Sequence, residues 1–190
     1  MKANIKIWLS LLENFNGTCS FGQNIWLSNS QINLFTDSAG NPDLGWEVFF
    51  AGHWTYYQWF DHWHKPDIMA DITFLELVPI VLSIFLFKQD LSNKQILFHA
   101  DNKALVYILN KKSSKSRRVM GLIRPLVLYT MLYNMQFKAI HIEGQINCIA
   151  DVISSKQWQR FGSLLREADL EMTPVPQEFL QLILDVKLVV

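Results

Sequence analysis

The sequence predicts an α/β domain, in which an antiparallel three-stranded unit is followed by strand–helix alternation that adds parallel strands to one mixed sheet. Three observations carry this expectation. Short runs rich in aromatic and branched residues recur between residues 31 and 59, separated by turn residues. Residues 72–88 form an apolar run of helical length, and 95–100 form a short apolar run followed by a helical pattern. The resulting order, β-β-β-α-β-α-α-β-α, suits a meander extended by parallel crossovers.

Residues 1–15 place Ile7, Leu11, Leu12 and Phe15 at helical spacing, and Asn14-Phe15-Asn16-Gly17 ends that helix. An irregular connector runs to Ser30. Ile32, Leu34 and Phe35 lead a strand to Asp37, and Ser38-Ala39-Gly40-Asn41-Pro42-Asp43 supplies a turn. Strands follow at 45–51 and 54–59, then a loop at 61–66. Asp71 or Thr73 caps a helix to about residue 88, with Pro79 expected to kink it or limit its first turns. A buried strand at 95–100 precedes a helix over 102–110. Lys111-Lys112-Ser113-Ser114-Lys115-Ser116-Arg117-Arg118 reads as a basic connector, followed by a helix over 118–133 with Pro125 inside it. A strand at 135–142, a loop at 143–147 and a helix at 149–158 complete the pattern. After Phe161 no clear period is found, and Thr173-Pro174-Val175-Pro176 reads as a linker or interface arm.

Bulk composition narrows the function classes. The 190 residues are 50% hydrophobic, enough for one domain with a sizeable core. The formal net charge is zero, so no global field draws nucleic acid or an anionic membrane, and a polyanion must be held locally. Two cysteines, Cys19 and Cys148, lie far apart and suit a reducing compartment. The first apolar run is too short for a signal-peptide core, and residues 72–87 fall short of the ~18 to 20 apolar residues of a span and contain Glu76 and Pro79. An intracellular, non-secreted protein without a membrane partner is expected.

Four acids stand where acids are rare: Asp37 after Leu34-Phe35-Thr36, Glu76 within Phe74-Leu75-Glu76-Leu77-Val78, Asp101 after Phe98-His99-Ala100, and Asp151 within Ile149-Ala150-Asp151-Val152. A carboxylate in or beside a core loses several kcal/mol of hydration unless a partner compensates, and these segments hold few cations. Four acids on four elements suggest one shared charge, most simply a divalent metal site. Asp37 and Asp101 fall at C-terminal strand ends, where open α/β sheets place their crevice, and Glu76 and Asp151 fall on helices able to reach that edge.

The pieces Phe35-Thr36-Asp37-Ser38-Ala39-Gly40, Glu76-Leu77-Val78-Pro79-Ile80-Val81, His99-Ala100-Asp101-Asn102 and His141-Ile142-Glu143-Gly144-Gln145-Ile146-Asn147-Cys148-Ile149-Ala150-Asp151 resemble the ribonuclease H domain of retroelement reverse transcriptases, closest to DIRS-like retrotransposons. The resemblance covers about residues 31–160. It implies a ribonuclease H-like fold with a mixed five-stranded sheet, three antiparallel strands then two parallel, flanked by helices. It divides the chain into an N-terminal helix and connector (1–30), a catalytic domain (31–161) and a C-terminal extension (162–190).

The resemblance further implies hydrolysis of the RNA strand of an RNA–DNA hybrid by a two-Mg²⁺ mechanism, with Mn²⁺ as a substitute. Asp37, Glu76, Asp101 and Asp151 become the metal ligands, and His141 a mobile histidine that moves a proton or aids product release. Mg²⁺ takes oxygen ligands at ~2.0 to 2.1 Å and keeps several waters, so a few carboxylates and a substrate phosphate complete its shell. Ser38 and Asn102 could donate to RNA hydroxyls or serve as turn and cap residues, and Asn147 could lie near the hybrid or cap the last helix. Lys111, Lys112, Arg117 and Arg118 (with Lys115) either track phosphates or form a solvated loop. Trp46, Trp54, Trp59 and Trp63 offer stacking faces or, more simply, core packing. The partners implied are the hybrid and a reverse transcriptase polymerase domain. Two rivals stand beside this reading. One is an integrase-like transferase, whose last acid is usually Glu where Asp151 is Asp. The other is a silent or domesticated ribonuclease H-like domain acting as a nucleic-acid-binding or scaffold module.

Overall fold

The computed structural model describes residues 2–14, 17, 25–63, 66–143 and 168–187. Its described elements are α1 (Lys2–Glu13), β1 (Leu27–Ser28), α2 (Asn29–Ile32), β2 (Leu34–Ser38), β3 (Gly45–Phe50), β4 (His53–Gln58), a 3-10 turn (Asp61–Trp63), α3 (Pro66–Met69), α4 (Ile72–Phe87), β5 (Gln95–Ala100), α5 (Lys103–Lys111), α6 (Arg117–Leu132), β6 (Gln136–His141) and α7 (Gln177–Lys187). The mixed α/β class expected from the sequence is present. The loop and helix expected at 143–147 and 149–158 lie, apart from Glu143, outside the described residues.

The meander forms as its turn chemistry dictates. β2, β3 and β4 are antiparallel, with Asp37 opposite Glu47 and Glu47 opposite Tyr56. Asn41 closes the first turn, its Oδ1 accepting from Asp43 N at 2.9 Å and its carbonyl from Leu44 N at 3.1 Å. Gly45 is required next: a Cβ there would lie 2.1 Å from the Tyr57 carbonyl oxygen. β3 is buried along its whole length. Trp46, Val48 and Phe50 join the main core, while Phe49 packs with Phe35, Trp54 and Tyr56 on the other face.

The single five-stranded sheet expected above is not what the described strands form. They make two sheets of three, an antiparallel β2-β3-β4 and a parallel β1-β5-β6. β1 pairs with β5 for only two residues, Leu27 with Ile96 and Ser28 with Leu97. The one-turn helix α2 and Asn33 at φ 50° then divert the chain before β2 begins, so the strand carrying Asp37 does not continue the β1 ladder. Both β1 and α2 lie in or beside the stretch read as an irregular connector.

Helix α4 packs on β2, β3, α5, α6 and α7 and joins the two layers. Asp71 caps it, accepting from Phe74 N at 3.1 Å. The helix runs unbroken from Ile72 to Phe87 across Pro79, where a kink was expected. Eleven of its sixteen residues are buried, and among the described residues no helix is long and apolar enough to cross a membrane. Trp46, Trp59 and Trp63 form a buried row, with ring centroids 6.2 and 5.6 Å apart, and so serve as core rather than as stacking faces.

The segment after Phe161 holds more structure than its sequence suggested. Residues 169–173 run along β4: Asp169 N donates to Gly52 O at 2.9 Å, Trp54 Nε1 to Asp169 O at 2.9 Å, and Thr173 N to Trp54 O at 2.8 Å. This strap covers the free edge of the meander. α7 then buries Phe179, Leu180 and Ile183. Phe179 meets Trp46 at 6.0 Å and Phe85 at 5.8 Å. Phe179→Ala is expected to cost about 3 to 5 kcal/mol of stability, read as a lower urea midpoint with an unchanged slope.

Candidate functional site

Three of the four acids reach one place. Asp37 is carried by β2, whose following loop is tied down by Trp59 Nε1 donating to Ala39 O at 2.8 Å. Glu76 is the single acid of α4 and sits on its second turn, partly buried. Asp101 follows β5 directly, at the C-terminal edge of the parallel pair. Thr36, Asp37, Glu76, Ile80, His99, Ala100, Asp101 and Leu105 line a small cleft of about 20 Å³. That volume is enough for a water or an ion.

The electrostatics of the cleft follow from this convergence. Burial, then the negative charge of Asp101, pushes the Glu76 carboxyl from 4.5 up to about 7; a hydrogen bond from Asn102 pulls the other way, and Asp37 adds a further upward push. Like charges in a half-buried cleft call for a cation, and an all-oxygen set of carboxylates suits a hard divalent one. The match is incomplete: among the described residues no group of three or more His, Cys, Asp or Glu side chains is arranged to hold an ion. Asp151 and Asn147 lie outside the described residues.

His141 ends β6, paired with Ala100 in register, and its Nε2 lies 3.0 Å from the Asp101 carbonyl oxygen. A carbonyl only accepts, so Nε2 carries a proton, and in the neutral ring Nδ1 holds the lone pair. Asn102 caps α5, its Oδ1 accepting from Ala104 N at 2.9 Å and Leu105 N at 3.1 Å. Ser38 Oγ is buried without a hydrogen-bond partner among the described residues. The basic residues divide. Arg118 Nη1 stands 3.7 Å from Asp71 Oδ2, and its guanidinium lies 5.8 Å from the Phe74 ring centre, so it ties α6 to α4. Lys111 and Lys112 lie over the rings of Tyr107 and Phe137, at 5.8 and 4.9 Å, and Arg117 is exposed.

Two residues, one in the cleft and one paired with Asp37 across the meander, were not singled out as site residues by the sequence. His99 lines the cleft, and burial holds its imidazole below the ordinary range. Its signal was available: in a strand, residue i−2 shares the face of Asp101. Glu47 is fully buried opposite Asp37. It too was an acid inside an apolar strand, the criterion that selected the other four.

No protein-family model matches this sequence, and no curated protein matches it.

The raised Glu76 carboxyl sets a pH dependence. Between about 4.5 and about 7 the folded protein holds a proton that the unfolded chain has lost, so this group's contribution is intact below about 4.5 and is lost as pH rises through about 7. In metal-free buffer at pH 8, Glu76→Gln is expected to unfold at higher denaturant than the parent, by about 1 to 2 kcal/mol after allowance for its partial exposure. At pH 4 the difference should vanish. A parent more stable than the variant at pH 8 would reverse the sign.

Proposed function

We propose that the chain is a metal-dependent nuclease that hydrolyses the RNA strand of an RNA–DNA hybrid, built on a ribonuclease H-like arrangement of its strands. The observation that carries this reading is the meeting of Asp37, Glu76 and Asp101, from three separate elements, in one cleft where burial and mutual repulsion push Glu76 up to about 7. Their residue types and order match the resemblance drawn from the sequence, which adds Asp151 as the fourth acid.

Asp37, Glu76, Asp101 and Asp151 would hold two Mg²⁺ ions, or Mn²⁺ in their place. When bound, such ions supply an activated water and stabilise the charge that develops on the departing oxygen. The protein's own groups do the rest. Asp37, Glu76 and Asp101 present oxygens from a strand, a helix and a strand end, so the ligand positions are fixed by packed elements rather than loops. His141 stands beside Asp101, its Nε2–H anchored on the Asp101 carbonyl, and Nδ1 of the neutral ring would take up or return a proton at the leaving 3′ oxygen. Arg117, exposed at the start of α6, and Lys111 and Lys112 at the end of α5 provide positive charge for a phosphate backbone. Arg118 contributes by fixing α6 against Asp71.

A second reading, a non-catalytic ribonuclease H-like module that binds nucleic acid, draws support from one observation: among the described residues no group of three or more His, Cys, Asp or Glu side chains is arranged to hold an ion. Cleavage of a labelled RNA–DNA hybrid with Mg²⁺ separates the two, with single-stranded RNA and duplex DNA as controls. Asp37→Asn and Asp101→Asn are expected to abolish cleavage while keeping or raising stability in EDTA, because each removes one repelling charge. A large loss of stability in EDTA would mean that the acid is structurally paired. His141→Ala is expected to slow turnover by about 10²-fold or more and leave measurable cleavage. A folded parent with no Mg²⁺-dependent hybrid cleavage moves the assignment to the binding module.

A further inference from the structure

Asn102 follows Asp101 at the end of β5, and its side chain reaches three elements. Oδ1 accepts from Ala104 N at 2.9 Å and from Leu105 N at 3.1 Å, capping α5. Nδ2 points to Thr73 Oγ1 at 3.4 Å, and hydrogen bonding by the same side chain works to lower the Glu76 carboxyl against the upward push of burial. Thr73 and Glu76 are three residues apart on α4 and share one face. An asparagine side chain has two acceptor lone pairs and two N–H donors. Here Oδ1 is taken up by α5 and Nδ2 turns toward α4.

We infer that Asn102 is a positioning residue: it clamps the N-terminus of α5 to the Thr73–Glu76 face of α4 and thereby holds the Glu76 carboxylate in the cleft beside Asp101. Capping alone does not require an amide, since serine and aspartate cap as well. Serine is too short to cap α5 and reach α4 together, and aspartate has no N–H to donate to a carboxylate. Only an amide accepts at one end and donates at the other. The clamp would make the position of Glu76 depend on two packed helix turns rather than on its own rotatable side chain. Its effect on cleavage rests on the nuclease reading; the clamp itself does not.

A double-mutant cycle of Asn102→Ser and Glu76→Met tests the clamp, read first by urea unfolding in metal-free buffer at pH 8; methionine keeps the length of the side chain and removes its oxygen acceptors. Coupling is expected: Asn102→Ser should shift the unfolding equilibrium about tenfold more in the parent than in Glu76→Met. Calorimetric titration with Mn²⁺ alone should show about tenfold weaker binding by Asn102→Ser, and no further weakening when Asn102→Ser is added to Glu76→Met. In hybrid cleavage, kcat should fall with KM unchanged. Additive unfolding energies overturn the clamp. So does a raised KM with unchanged kcat, which returns Asn102 to substrate contact. A parent that shows the unfolding coupling but binds no Mn²⁺ and cleaves no hybrid upholds the clamp and overturns the nuclease reading.

Discussion

The burial of helix α4 constrains both the core and the cleft. Its residues face β2 and β3 on one side and α5, α6 and α7 on others, so nearly every side chain must be apolar. A single carboxylate on such a helix has few places to go. Glu76 sits on the second turn, where the helix emerges between the end of β2 and the end of β5, and there it meets Asp37 and Asp101. Hydration lost by burial and repulsion from its neighbours then act together, and the carboxyl is held up to about 7. The chemistry of the cleft is therefore a consequence of how the core is packed.

Local ties keep this arrangement in register. Asp71 caps α4 and stands beside Arg118, which joins the start of α6 to the start of α4. Asn102 does the same for α5, and His141 reaches the Asp101 carbonyl from the neighbouring strand. The helix starts thus converge near the C-terminal edge of the parallel strands, where amide N–H groups and acids meet. On the far side of the meander, the strap at residues 169–173 and α7 close the β4 edge and complete the core around Phe179.

Much of the fold was legible because its signals are local. The limits of β5 were readable from its apolar run, the cap of α4 was narrowed to Asp71 or Thr73, and Asn102 stood as a cap or a substrate contact; Asp71 and Asn102 are the caps found. The three strands of the meander followed from their turn residues. Elements that rely on distant partners were not readable. β1 is two residues long and exists only because β5 lies beside it. α7 shows the spacing of Phe179, Leu180, Ile183 and Leu184, but a proline-rich segment before it suggested a linker. His99 was passed over because a histidine inside a strand is ordinary until its neighbours are known, and Glu47 was passed over although it met the criterion that selected the other acids.

By itself the sequence determined α1, the meander strands, α4 to α6, β5 and β6, the apolar character of α4 and the few acids that interrupt apolar segments, since these depend on side-chain pattern and on the cost of burying charge. Tertiary structure alone decided that Asp37, Glu76 and Asp101 share a cleft, that Arg118 serves Asp71, and that the strands divide into two sheets. Those outcomes turn on contacts between residues dozens of positions apart. The backbone's change of direction at α2 and Asn33 also fixes where strands end, and no local pattern encodes that.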